Sequence, residues 1–158
     1  MPLLRAALSW NFVLATAICA SLLAQLIKVL LNLFIFHRFI AERMWGAGGM
    51  PSSHSAVTCS VLLTSYLIYG FSSPIFAMAF VLALIVMYDA TGVRWAAGLH
   101  AKAINYIVEY LGDENTKDKD QLKEMIPKLN ESLGHRMIEV VCGALLGFAI
   151  SLIGYFCF

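Results

Sequence analysis

Two histidines, two carboxylates and a few basic side chains stand out from an otherwise apolar chain. His54 closes the segment Pro51-Ser52-Ser53-His54, which follows Gly48-Gly49 between two long apolar runs. His135 and Glu139 lie four residues apart at the start of the last apolar run. Lys28 interrupts the first run, Arg43 lies in the connection after it, and Asp89 and Arg94 are the first charges after a long uncharged stretch. Such a set suits phosphoryl transfer. Basic groups and backbone N–H donors can hold the equatorial oxygens of a phosphoryl group in flight. One histidine can attack phosphorus, and a carboxylate can hold its reactive tautomer. A second histidine can protonate the leaving oxygen. With lysine and arginine supplying positive charge, no divalent metal or other cofactor is required.

The elements that must position these groups are membrane helices. Hydrophobic residues make up 60% of the 158, charged residues only 13%, and mean hydropathy is +0.77. Soluble domains carry about 45–50% apolar and about 25% charged residues. The expected architecture is all-α: one domain over 1–158, a polytopic membrane bundle of about four transmembrane helices plus an interfacial amphipathic helix. The N-terminal run is expected to be a retained membrane helix, because it lacks a credible cleavage site. Net charge is +1, which argues neither way on nucleic acid, and no such partner is expected. Cys19, Cys59, Cys142 and Cys157 show no metal spacing and read as small apolar residues.

Taken in order, Leu8 to Phe36 is long enough to cross the hydrocarbon. Gln25, Lys28 and Asn32 share one face of it. Lys28 either snorkels to the interface or points inward as an anion ligand. His37 to Met50 is a polar connection. Pro51 presets a turn, and Ser52 or Ser53 caps a helix running to about Tyr69, whose N-terminus is an anion site. Gly70 to Pro74 turns the chain, and Ser73 caps a helix through about Tyr88. Asp89 and Arg94 either form an interfacial salt bridge that ends it or serve the site. Trp95 to Leu111 is amphipathic. Gly112 to Asp120 is a solvated loop, and Gln121 to Leu133 holds a short helix interrupted at Pro127. Met137 to Phe158 is the fourth crossing. Its Gly143 and Gly147 permit close helix approach, for internal packing first and a homo-oligomer as the alternative. His135 and Glu139 are expected to share a helical face.

Four crossings put both termini on one side and every candidate site residue on the other. Ten of the 11 Lys and Arg residues lie on or point toward that second side, which the positive-inside rule makes cytoplasmic.

The segments GGMPSSHSA, MYDATGVRWAAG and LGHRMIEVVCGALLG, in that order, resemble the divergent branch of the type-2 phosphatidic acid phosphatase family, related to acid phosphatases and vanadium-dependent haloperoxidases. The resemblance covers about Gln25 to Gly147. It implies Lys28 and Arg43 as phosphate ligands, Pro51-Ser52-Ser53-His54 as the cradle with His54 as general acid, and His135 as nucleophile oriented by Glu139. Ser53 stands where the wider superfamily has glycine, and Glu139 stands for aspartate. Lys28 and Arg43 are much further apart than in the superfamily. The arginine expected before His135 is replaced by Leu129, with Arg94 as a substitute from another helix end. Asp89 matches a motif of the branch in a supporting position.

The expected function is that of an integral-membrane hydrolase acting on a lipid phosphate or isoprenoid (di)phosphate, with membrane lipid and phosphate- or vanadate-like anions as partners. The alternative is a non-catalytic lipid-headgroup-binding or assembly protein that keeps the anion site. A small transporter is the weaker third reading, since no inverted repeat is visible.

Overall fold

The computed structural model describes residues 11–36, 49–111, 125–131 and 133–157. They form five helices: α1 (Phe12–Phe36), α2 (Ser53–Tyr69), α3 (Pro74–Thr91), α4 (Val93–Leu111) and α5 (Met137–Cys157). The protein is an all-α membrane bundle. Three stretches, Phe12–Phe34, Pro74–Tyr110 across the α3–α4 break, and Met137–Cys157, are long and apolar enough to cross a bilayer.

α2 differs. Its 17 residues span about 26 Å at 1.5 Å per residue, short of a hydrocarbon core of about 30 Å. It is nonetheless the centre of the bundle. Thr64 near its end bonds Thr16 near the start of α1, so the two run antiparallel. Cys59 meets Met87 of α3, again antiparallel. Ser52, Ala56 and Ser60 meet Gly143, Gly147 and Ser151 of α5 in step, so those two run parallel. α2 is thus a fourth helix of the bundle, packed among α1, α3 and α5, beside the three stretches that meet the lipid-length requirement.

Local sequence explains the ends. Asn11 Oδ1 accepts from Leu14 N–H at 3.0 Å and caps α1. Ser52 caps α2 and Ser73 caps α3, with Pro74 in the first turn of α3. α3 runs to Thr91 before the backbone breaks at Gly92. From Pro127 to Glu131 the backbone is irregular and lies along α4. There the Asn105 amide donates to the Leu129 carbonyl at 2.9 Å and its oxygen accepts from Leu129 N–H at 3.0 Å.

The interior is small and polar while the large apolar residues face outward. Ala20, Ala24 and Ala56 are fully buried, with Leu146 and Ile150 against them. Leu22, Phe34, Ile85 and Leu145 are exposed. Lipid tails are as apolar as leucine, so burying leucine gains little in a bilayer and close packing of small residues takes over. A hydroxyl ladder crosses the centre. Thr16 and Thr64 lie 3.0 Å apart, Thr64 Oγ1 donates to Ser151 Oγ at 2.9 Å, and Ser151 Oγ lies 3.0 Å from the Ser60 carbonyl.

Gly143 and Gly147 face α2 of the same chain. A Cβ at Gly143 would lie 2.3 Å from the Ser52 carbonyl oxygen, and one at Gly147 would lie 2.2 Å from that of Ala56. This face of α5 therefore packs internally, against α2. Of the cysteines, all free, Cys59 is buried whereas Cys19 and Cys157 point outward.

Candidate active site

The helix ends bearing Lys28, His54, Asp89, Arg94, His135 and Glu139 gather at one end of the bundle. His54, Val86, Asp89, Ala90, Arg94 and His135 line a single cavity of about 90 Å³. That is well above the ~10–15 Å³ that one water needs. The His54 and His135 ring centroids lie 6.3 Å apart with the planes at 78°.

Each histidine is placed by a different device. His54 is the second residue of α2 and is exposed to the cavity. Its helix start is anchored where Ser52 N–H donates to the Glu139 carbonyl at 2.9 Å. The Met50–Pro51 peptide on the approach is cis, and Gly49 has φ +103°. His135 precedes α5, and its N–H donates to the Ala90 carbonyl at 3.0 Å, tying it to the end of α3. Its ring is 3% exposed, and its Nε2 has no hydrogen-bond partner among the described residues. Burial, followed by the charge of Lys28 and the neighbouring His54, lowers its pKa to about 4. A hydrogen bond with the Gly134 backbone works the other way, and the charge of Arg94 adds to the lowering. The ring is therefore neutral at physiological pH.

Lys28 does not snorkel. It is 2% exposed, and its side chain runs past Gly49, where a Cβ would lie 3.4 Å from Lys28 Cδ. Its charge faces Glu139, His54 and His135. It stands behind the cavity wall rather than in it. Arg94 is in the wall, where its guanidinium pairs with Asp89. The pair spans the α3–α4 break and borders the cavity.

Three expectations change. Glu139 does not hold the His135 ring. α5 starts at Met137, so His135 lies outside the helix and the four-residue spacing no longer brings the two side chains onto one face. The Glu139 carboxylate instead accepts from Arg136 N–H at 3.2 Å, as the third-residue acid of a capping box does. Ser52 is fully buried and its Oγ accepts from Ser55 N–H at 3.3 Å and Ser55 Oγ at 3.1 Å, so it serves the helix cap. Ser53 is buried beside it and does not line the cavity. Arg43 lies outside the described residues. Among the described residues, no cluster of three or more His, Cys, Asp or Glu has a metal-binding arrangement.

Sequence reading passed over the hydroxyl ladder. Its signal was present: Gly143, Gly147 and Ser151 recur every fourth residue on α5, opposite Ser60 and Thr64 on α2.

A family model described as the Divergent PAP2 family matches residues 9–150. The chain is 37% identical over 147 residues to the uncharacterized membrane protein YuiD of Bacillus subtilis (strain 168), covering 90% of this chain and 93% of that protein. No solved structure matches.

Proposed function

The chain belongs to the divergent PAP2 family, and on that premise we propose that it is an integral-membrane phosphatase acting on a lipid phosphate or isoprenoid diphosphate. The observation that carries the proposal is the pair of histidines lining one cavity: His135 buried with Nε2 unpartnered among the described residues, His54 accessible, and a guanidinium in the same wall. The reaction has two steps. His135 Nε2 attacks phosphorus, the bond from phosphorus to the leaving oxygen breaks, and that oxygen takes its proton from His54. Water then attacks the phosphohistidine, giving a proton back to His54 and releasing phosphate and neutral His135. Arg94 meets the phosphoryl oxygens, and buried Lys28 adds positive potential behind them. Arg43 joins them as a ligand on the sequence resemblance.

The test is phosphate release by the purified full chain from vesicles containing phosphatidic acid or an isoprenoid diphosphate. Release with a phosphohistidine trapped on His135 is the expected result. Binding of phosphate or vanadate with no release from either lipid would favour a non-catalytic headgroup-binding protein. The engagement of Glu139 in helix capping, rather than with His135, is the observation that keeps that second reading in play.

We also propose that the site end is cytoplasmic, since helix order assigns ten of the 11 basic residues to it or points them toward it. A cysteine introduced at exposed Glu131, in the segment leading to His135, should be shielded from an impermeant maleimide in intact cells. Labelling from outside would reverse the orientation.

A further inference from the structure

Asp89 has no role in the two steps above, yet it shares the cavity wall with both histidines and with Arg94. Resting on the phosphatase reading, we propose that the Asp89–Arg94 ion pair is a latch that the anion itself opens. Phosphate takes the guanidinium, and the released Asp89 carboxylate turns to the His54 ring and holds it protonated.

The pairing is not a product of helix periodicity. Partners on one helical face stand three or four residues apart, and these stand five apart. They meet because the chain breaks at Gly92 (φ −100°, ψ −98°) between α3 and α4, which brings Arg94 back toward the end of α3. A pair built on a break between two helices separates without unwinding either of them.

Competition favours the anion. The Arg94 and Asp89 side chains are 55% and 40% exposed, and ion pairs in that setting are weak. A phosphate monoester carries about −1.5 to −2 charges and presents several oxygens to the planar fork of an arginine. It therefore outcompetes one half-solvated carboxylate for the same guanidinium. Left in place, Asp89 would oppose the incoming anion with its own negative charge.

The freed carboxylate has a neighbour to turn to. Among the described residues, four charged or titratable groups face His54: Arg94, Lys28 and Asp89 by their charge, and His135 by its ring. Asp89 is the only acid among the four, and a carboxylate beside an imidazole favours its protonated form. While Asp89 is spent on Arg94, His54 has two cations and little to balance them. Once phosphate occupies Arg94, both the anion and Asp89 support the imidazolium. The general acid is thus charged when there is a leaving group to protonate, with the proton drawn from solvent on binding. Departure of phosphate lets the pair close again and assists product release.

Binding of inorganic phosphate to the full chain in detergent at pH 8.5 tests this without turnover. Asp89→Asn and Asp89→Ala should each bind phosphate roughly three- to fivefold more tightly than wild type, the effect of losing a half-exposed competitor. Arg94→Gln should bind weakly, and adding Asp89→Asn to it should tighten binding less than it does in wild type, because competition for the guanidinium is then gone and only charge repulsion is relieved. In 15N-histidine spectra, phosphate should raise the titration midpoint of His54 further in wild type than in Asp89→Asn. Equal or weaker binding in both Asp89 variants would overturn the latch, as would tightening by Asp89→Asn that is as large with Arg94→Gln as without it. Phosphate release from vesicles is scored separately. A latch without release refutes the phosphatase reading alone, and release without tighter binding refutes the latch alone.

Discussion

His135→Ala should abolish release of phosphate from every substrate, whereas His54→Ala should discriminate between leaving groups. The two rings wall the same cavity, but their environments assign them opposite duties. His135 is enclosed, neutral and, among the described residues, unpartnered at Nε2, the state a nucleophile needs. With a pKa lowered to about 4, it stays neutral as pH falls through 6.5, where an ordinary histidine protonates. It loses its lone pair only near pH 4, and a 15N titration of its ring should show that midpoint. His54 opens to the cavity and can exchange protons with water. A lipid alkoxide leaves poorly unless protonated, so His54→Ala should cost about 10²–10⁴ on lipid phosphates. An aryl phosphate leaves without that help, and its first step should be largely spared. Equal losses in leaving-group release during the first turnover on both substrate types would remove His54 from the acid role. Full activity of His135→Ala would remove the nucleophile.

The parts of this arrangement that sequence reveals and those it conceals divide along physical lines. Lipid imposes long outward-facing apolar stretches, so the runs of leucine, isoleucine and phenylalanine marked the helices directly. Helix order then placed Lys28, His54, Asp89, Arg94, His135 and Glu139 at one end with no knowledge of side-chain contacts. What stayed hidden depends on one- or two-residue boundaries. Starting α5 at Met137 rather than at His135 moves Glu139 from a catalytic partner to a cap. The break at Gly92 decides whether Arg94 faces the cavity alone or arrives paired with Asp89. Ser52 showed the same ambiguity: a serine before a histidine reads equally as an anion ligand or as a helix cap, and its buried bonds to Ser55 make it the cap. Lys28 was open between snorkelling and turning inward, and its burial along Gly49 decides for the interior.

The same close packing gives the second large effect. Gly147→Ala adds one carbon that would lie 2.2 Å from the Ala56 carbonyl oxygen and 2.9 Å from Ser60 N. Both are backbone atoms of a helix held on three sides, so neither can turn aside as a side-chain end can. α5 must move away from α2 and give up the Ser151 bonds to Ser60 and Thr64. A cost of ~1–3 kcal/mol is expected, read as a lowered unfolding temperature in detergent. Gly143→Ala meets the Ser52 carbonyl oxygen at 2.3 Å, one residue from the start of the helix that carries His54. Ser52 N–H also donates to Glu139 of α5, so separating the helices there shifts His54 relative to His135. This variant should lose phosphate release beyond its loss of stability, while Gly147→Ala, whose contacts lie one to two turns into α2, should lose mainly stability. Gly154→Ala supplies the comparison. Its added carbon meets the Phe12 ring at 3.1 Å and a Thr16 methyl at 3.3 Å, side-chain atoms that can yield by a few tenths of an ångström. Near-wild-type stability in Gly154→Ala beside marked losses in the other two would show that backbone-to-backbone contact of α2 with α5 sets the spacing of the site. Equal stability in all three would refute it.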